Sequence, residues 1–182
     1  MKEPDYLEQT ASFDDAEIYR YTLLRRWAPG PMCLWILLNP STATAIKLDP
    51  TLQRCLQFTM SWTHVGQERH LPFGAFEVCN AYAFRSPHPE DLWKVDDPVG
   101  PNNDAAILSA AKRADLVIVG WGDGCSPQRE RQLAQLLCDH GIQPHMLAAT
   151  KRGSPSHPLA RGKHRIPYSA TPTPWHAKGL RP

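Results

Sequence analysis

The side chains best suited to chemistry follow apolar runs of strand length. Asn39 comes directly after the apolar run at residues 33–38, Asn80 ends a second such run, and His157 lies in a loop beyond the last one. An amide on a rigid Asn-Pro turn can orient a water molecule, and the paired donor and acceptor of a second amide can bind a pyrimidine edge. A histidine can stabilise a leaving oxyanion or transfer a proton. Each residue also has an ordinary structural interpretation, as a turn, a backbone cap or an inert surface imidazole.

An acid and several phosphate-binding side chains add to these candidates. Asp49 precedes Pro50, so it is a candidate helix N-cap and equally a candidate general base or stabiliser of a cation. Basic and hydroxyl side chains in loops can hold phosphate oxygens. The candidates for this role are Arg85, Ser86, Lys151, Arg152, Arg161 and Lys163.

The charge of the chain is distributed unevenly. Residues 151–182 contain seven Lys and Arg and no acidic residue, which leaves 13 basic and 18 acidic residues in 1–150. A basic end on an acidic body suits a polyanionic partner such as nucleic acid. A solvated tail would have the same composition, so the charge pattern alone leaves both interpretations open.

Composition excludes several classes of protein. The chain has 182 residues, 42% of them hydrophobic and 21% charged, as expected for one globular domain with its own core. It contains no apolar run long enough to span a membrane, and we do not expect its acidic, polar N-terminus to be a signal peptide. The five cysteines are scattered singly, which predicts no metal site and suits a reducing cytosol. We expect a monomeric cytoplasmic protein without a cofactor, since no GxGxxG, P-loop or HExxH motif occurs.

The alternation of strands and helices predicts the fold that positions these residues. Buried strands are predicted at 33–38, 75–80, 115–120 and 144–148, and an edge strand at 19–26. Helices are predicted at 50–63, at 103–113 and from Ser126 onward. Such alternation implies an α/β protein, a three-layer α/β/α sandwich around a mostly parallel four-stranded sheet. The whole chain, 1–182, is predicted to form one domain with a basic, Pro-rich C-terminal segment at about 161–182.

This topology brings the polar segments together. Ligands of open parallel sheets bind beyond the carboxyl ends of the strands. The four segments expected there are residues 39–42, Asn80 with its loop, Gly120-Trp121-Gly122, and residues 150–157. The candidate base-binding residues among them are Pro40, Ser41, Thr42, Asn80 and Trp121.

Four longer motifs make the pattern specific. They are LNPSTA at 38–43, DPTLQRC at 49–55, DDPVGPNND at 96–104 and TKRGSPSHPL at 150–159. With these motifs the chain resembles the uracil-DNA glycosylase superfamily, and more closely a little-characterised bacterial and phage branch of it. The resemblance implies that Asn39 with Pro40 positions the attacking water, that Asn80 reads the base, and that His157 contacts the flipped base and the DNA strand. The four cysteines of the iron–sulfur branches are missing here, so the resemblance implies no cluster.

One departure from the superfamily points to a substrate. Uracil-specific members carry a bulky aromatic residue soon after the first motif, where it blocks substituents at pyrimidine C5. Here Ser41 and Thr42 follow Pro40, which suggests a pocket that tolerates a C5 substituent. The resulting hypothesis is a monofunctional DNA glycosylase that removes a C5-modified pyrimidine, such as glucosylated 5-hydroxymethylcytosine of phage DNA, and leaves an abasic site in anti-phage defence. In it, Asn39 orients the water, Asp49 stabilises the cation or accepts a proton, and His157 stabilises the departing base.

Three alternatives remain open at this point. The same pocket could serve a hydrolase or transferase of free modified nucleosides or nucleotides, although the basic C-terminus argues against this. The chain could also be a nucleic-acid-binding module without catalysis. A lyase reaction through Lys47 or Lys151 would leave a covalent complex that borohydride traps.

Overall fold

A mixed sheet of seven strands organises the part of the chain that the computed structural model describes, residues 3–44, 46–65 and 70–177. The strands are β1 (Glu8–Phe13), β2 (Arg20–Arg26), β3 (Met32–Leu37), β4 (Thr63–Val65), β5 (His70–Pro72), β6 (Ala75–Asn80), β7 (Leu116–Val119), β8 (Pro144–Met146) and β9 (Thr173–Pro174). The α-helices are α1 (Pro50–Ser61), α2 (Asn103–Arg113) and α3 (Pro127–Cys138). Short 3-10 turns lie at Pro89–Lys94, Gly122–Gly124 and Gly162–His164.

The centre of the sheet is parallel and its borders are antiparallel. The strand order is β1-β2-β6-β3-β7-β8-β9, and β4 and β5 form a separate hairpin. Strands β6, β3, β7 and β8 pair in parallel, whereas β1, β2 and β9 join through antiparallel pairs. The α/β class is therefore confirmed.

The central strand β3 shows why these elements form. All six of its residues are buried, as a strand covered on both faces requires. Leu34 and Ile36 belong to the core cluster that includes α2 and α3, whereas Cys33 and Trp35 belong to the cluster that includes α1. Successive side chains point to opposite faces, so one apolar run supplies both cores.

The starts of α1 and α3 follow from capping chemistry, as predicted. The Asp49 carboxylate accepts a hydrogen bond from the backbone N–H of Leu52 at 2.9 Å, and Pro50 occupies the first turn. The Ser126 hydroxyl caps α3 in the same way, accepting from the N–H of Arg129 at 3.1 Å.

The predicted sheet was too small. The four strands predicted from apolar runs form only its parallel centre, and β2 is not an edge strand because β1 pairs with its outer side. β1 has the polar sequence EQTASF with mostly exposed side chains, so it carries no strand signal of its own. β9 has two residues and forms only by pairing with β8.

Two of the C-terminal basic residues, Lys178 and Arg181, lie outside the described residues.

The connections of β3 and β7 create a crevice at the carboxyl edge. The chain leaves β3 toward α1 and leaves β7 toward α3, and these helices cover opposite faces of the sheet. Neighbouring parallel strands whose connections diverge in this way leave an opening at their carboxyl ends.

Across the described ranges, no helix has the length and apolarity to cross a membrane.

Candidate functional site

A cavity of about 400 Å³ lies in this crevice, and we call it the edge cavity. Its lining comes from the segments after β3, β6 and β7, from the start of α1 and from the loop after β8. The predicted site residues that line it are Asn39, Ser41, Asp49, Asn80, Ser86, Trp121 and His157. The structure therefore brings all three predicted catalytic residues to one cavity.

The Asn39 side chain is held in a fixed orientation. Its Nδ2 donates to the carbonyl oxygens of Ser86 at 2.9 Å and of Pro40 at 3.1 Å. The backbone N–H of Ser86 in turn donates to the Pro40 carbonyl at 3.0 Å. With both carbonyls on the nitrogen side, Oδ1 is left as an acceptor, and no described group donates to it. Such an oxygen can accept a hydrogen bond from a water molecule and orient it.

His157 is held as a neutral imidazole with one defined tautomer. The backbone N–H of Leu159 donates to its Nδ1 at 3.2 Å, so that nitrogen is the acceptor and the proton is on Nε2. Burial lowers the pKa of His157 below its ordinary value, and the Asp49 carboxylate opposes this shift. The imidazole therefore offers an Nε2–H donor at neutral pH.

Two glycines allow the His157 loop to approach the end of β7. A Cβ on Gly120 would lie 3.2 Å from Pro158 Cδ, and Gly122 has a φ of +70° beside the Cβ of His157. The N–H of Gly122 donates to the Pro155 carbonyl at 2.8 Å. The Gly120-Trp121-Gly122 segment thus allows close backbone packing, for which a side chain would leave little room.

Asn80 forms the floor of the edge cavity together with Arg20. Both side chains are almost fully buried, at 1% and 2% exposure. Arg20 Nη2 donates to Asn80 Oδ1 at 3.3 Å and Nη1 donates to the Ala43 carbonyl at 3.1 Å. Burial lowers the pKa of Arg20 to about 10, so the guanidinium is still charged at neutral pH. Asn103 Nδ2 fixes the backbone below, donating to the carbonyls of Asn80 and Ala81.

The remaining predicted base-binding residues differ in their positions. Trp121 is part of the lining, while its indole N–H donates to Glu130 at 3.0 Å and its ring packs against Trp175 in the core. Ser41 also lines the cavity and is partly buried. Pro40 and Thr42 are not part of the lining: Pro40 is buried and contributes its carbonyl to the turn, and Thr42 is exposed.

The predicted phosphate-binding residues fall into two groups. Arg85 donates to the Glu17 carbonyl at 2.7 Å and stacks on the Phe13 ring, and the Ser86 hydroxyl donates to Asp91 at 2.6 Å. These two side chains are engaged within the protein. The other four are exposed in the segment after β8, namely Lys151, Arg152, Arg161 and Lys163.

The exposed basic segment borders a second cavity of about 330 Å³. It is lined by Lys151 and His164 and shares Gly122, Asp123 and His157 with the edge cavity. Arg152 also donates to the carbonyl of Asp123, at 3.2 Å. Lys151 and Arg152 therefore lie beside the rim of the edge cavity.

Sequence reasoning missed two buried arginines. Arg20 lies in the predicted edge strand, and nothing in its local sequence signals that it reaches the cavity. Arg54 of the DPTLQRC motif donates through Nε to the Pro158 carbonyl at 2.6 Å and through Nη2 to the Ile166 carbonyl. Its guanidinium also lies over the Tyr168 ring, 4.5 Å from the centroid. The one sequence signal for Arg54 is its place in the DPTLQRC motif. Its hydrogen-bond partner Pro158 lies in the TKRGSPSHPL motif, so the two motifs are in contact.

Replacing Arg54 by Met is expected to destabilise the protein by about 2–4 kcal/mol, because charge-assisted hydrogen bonds to two buried carbonyls are lost. Urea unfolding would measure the change. Arg131→Met, on the exposed side of α3, provides the matched control and is expected to shift stability by at most about 0.5 kcal/mol. Equal effects of the two substitutions would contradict the assigned role of Arg54.

The fold and the cavity first define a class: a mixed α/β protein with a polar cavity at the carboxyl edge of a parallel sheet centre. Residues 20–159 match the family described as a protein of unknown function (DUF1643), and the chain belongs to that family. The lining of the edge cavity, from Arg20 to His157, lies entirely within the matched span. No curated protein and no solved structure matches the chain.

Proposed function

We propose that the protein is a DNA glycosylase that removes a C5-modified pyrimidine and leaves an abasic site. One observation carries the proposal: the edge cavity joins a water-orienting amide, a carboxylate, a neutral imidazole donor and a buried amide. These groups are Asn39, Asp49, His157 and Asn80.

The proposal also includes a three-layer arrangement of the uracil-DNA glycosylase type. It is supported by α1 on one face of the sheet and α2 with α3 on the other.

The proposed reaction is hydrolysis of the C1′–N1 bond through an oxocarbenium-like state. The bonding electron pair leaves with the base, and the water oxygen forms the new bond to C1′. Asn39 Oδ1 accepts a hydrogen bond from this water, and Asp49 stabilises the sugar cation or accepts the water proton. The proton ends on the departing base, either directly or by way of Asp49. His157 Nε2–H donates to the base oxygen where negative charge develops, an interaction that contributes about 3–4 kcal/mol in preorganised sites.

The size and rim of the cavity support a flipped nucleotide as ligand. Its volume of about 400 Å³ lies within the range of small-molecule sites, about 300–1,000 Å³. The small Ser41 side chain in the lining leaves space for a C5 substituent. A base must leave the duplex to reach such a cavity, and the exposed basic residues beside it suit the DNA backbone. We propose phage DNA with modified cytosine as the partner and anti-phage defence as the role.

Base release tests the proposed function. The purified protein is incubated with uracil-containing DNA, unmodified DNA and phage DNA bearing glucosylated 5-hydroxymethylcytosine, and abasic sites are measured by alkaline cleavage. Mass spectrometry identifies the released base. Release from the modified DNA alone supports the proposal, and release from uracil DNA alone would contradict the C5 argument. If the protein binds DNA but releases no base from any of the three, the proposed function is wrong.

Substituting Lys151 or Lys163 by Ala is expected to weaken DNA binding uniformly across sequences, because exposed lysines neutralise phosphates. The slope of log Kd against log salt concentration should fall by about 1 for each substitution. Lys112→Ala is the matched control. Lys112 is exposed at the end of α2 that leads into the start of β7, at the opposite edge of the sheet. If Lys112→Ala lowers the slope equally, DNA binding is not localised to the basic segment after β8.

A further inference from the structure

The floor of the edge cavity carries hydrogen-bond donors that lack partners. Within the described part of the chain, Asn80 Nδ2 and Arg20 Nε have no hydrogen-bond partner, although both atoms are buried. Both residues line the edge cavity. Burying such groups without a partner costs free energy, and a ligand in the cavity would offset that cost. Five other buried side-chain atoms among the described residues also lack a partner, but none of their residues lines the edge cavity. They are Tyr21 Oη, Arg25 Nε, Arg85 Nε, Asn103 Oδ1 and His145 Nδ1.

Arg20 differs from the other buried arginines in how its charge is compensated. Arg129 pairs with the Asp104 carboxylate, and the Arg54 guanidinium lies over the rings of Phe58 and Tyr168. No described carboxylate lies within salt-bridge distance of Arg20, whose partners are one carbonyl and one amide oxygen. The Asp49 carboxylate, which lines the same cavity, raises the pKa of Arg20 by less than burial lowers it. The buried cation is therefore only partly compensated, which favours a ligand with negative charge.

Arg20 also fixes the orientation of the Asn80 amide. Asn80 Oδ1 accepts from the guanidinium, and rotating the amide by half a turn would place its NH₂ donors against the Arg20 donors. The amide oxygen is therefore directed at Arg20, and the free donors are on Nδ2. Asn103 Nδ2 donates to the backbone carbonyl of Asn80, and this hydrogen bond holds the backbone of Asn80 in place.

We propose that Arg20 and Asn80 form a donor floor that selects cytosine-type over uracil-type bases and stabilises the negative charge of the departing base. This inference rests on the proposed function, because it takes the ligand to be a flipped pyrimidine. Cytosine has adjacent acceptors at O2 and N3. Uracil has an N3–H donor between its two carbonyls, which would face donors on the floor. The negative charge of either departing base spreads over its ring nitrogens and oxygens, within the field of the Arg20 guanidinium.

A binding measurement separates base selection from catalysis. The probes are two oligonucleotides that each hold one 2′-fluoro nucleotide, with the same glucosylated hydroxymethyl group at C5 of either cytosine or uracil. The fluorine destabilises the sugar cation, so the base stays attached while Kd is measured. The cytosine-type probe is expected to bind on the order of 10-fold more tightly, since the uracil-type probe leaves donors unmatched. Equal binding, or tighter binding of the uracil-type probe, would overturn the inference.

Two variants assign the preference to the floor. Asn80→Asp keeps the size and pairs with Arg20, but it replaces donors by acceptors, so we expect the preference to reverse toward the uracil-type probe. Arg20→Met is expected to abolish the preference, because the amide orientation is no longer fixed. The matched control is Arg25→Met. Arg25 is buried on the same strand and donates to the Thr44 carbonyl, but it does not line the cavity, so the preference should be retained.

The outcomes for the inference and for the proposed function are distinct. If both Asn80→Asp and Arg20→Met keep the wild-type preference, the floor does not select the base and the inference is wrong. If the binding preference follows the floor but cleavable DNA releases no base, the inference stands and the glycosylase proposal fails. If base is released equally from cytosine-type and uracil-type DNA with equal binding, the proposed function stands and the inference is overturned.

Discussion

Replacing Asn39 by Ala is expected to lower the single-turnover rate of base release by about 10²–10⁴-fold, while the Kd for DNA changes little. The attacking water loses the acceptor Oδ1, whose direction is set by the two carbonyls that hold Nδ2. The loss concerns the chemical step, because Asn39 is in contact with the water in this mechanism and not with the DNA backbone. Rapid-quench cleavage of modified DNA, with enzyme in excess over DNA, would measure the rate.

The control for this substitution must separate catalysis from folding. Asn102→Ala makes the same chemical change at an exposed position whose side chain makes no capping hydrogen bond, and the rate should be unchanged. Thermal unfolding of both variants shows how much stability the hydrogen bonds to Ser86 and Pro40 contribute. A folded Asn39→Ala protein that retains more than a tenth of the wild-type rate would remove Asn39 from the mechanism.

Replacing His157 by Ala is expected to cost about 10²–10³-fold in the rate, the usual effect of removing one preorganised donor to a developing anion. His157→Gln should recover part of this loss, because a glutamine amide nitrogen can occupy the region of Nε2 and donate from it. The measurement is again the single-turnover rate. A rate for the Gln variant below that of the Ala variant would show that donation from this position is not the function of His157.

The pH dependence distinguishes a neutral from a cationic His157. Since its pKa is lowered by burial, the imidazole is neutral above pH 6.5, and the rate should not fall as the pH rises from 6.5 to 8. A cationic acid would instead lose activity about tenfold per pH unit above its pKa.

The same lowered pKa affects stability in acid. The unfolded chain takes up a proton near pH 6.5 that the folded imidazole resists, so this contribution to stability is present above that pH and decreases as the pH falls through the lowered pKa. Denaturant unfolding at several pH values should show a smaller decrease for His157→Gln, because glutamine does not titrate.

Local signals in the sequence determined the central elements and the place of the site. The apolar runs became the parallel strands because a strand covered on both faces needs no polar side chain, and Asp49 capped α1 because its carboxylate reaches a backbone N–H within the same turn. Parallel strands bring their carboxyl ends to one edge, so Asn39, Asn80 and His157 were predicted to meet.

Only the tertiary structure decided which polar side chains face the cavity and which are occupied elsewhere. Arg85 was predicted to bind phosphate and Arg20 was predicted only as part of a strand, yet Arg20 meets Asn80 on the cavity floor while Arg85 is bound to Glu17. Strand β1 is polar and forms because the outer side of β2 offers unpaired backbone groups. In each case the deciding partner is distant in the sequence or is a backbone group. Burial and hydrogen bonding depend on that partner, which cannot be predicted from a local pattern of residue types.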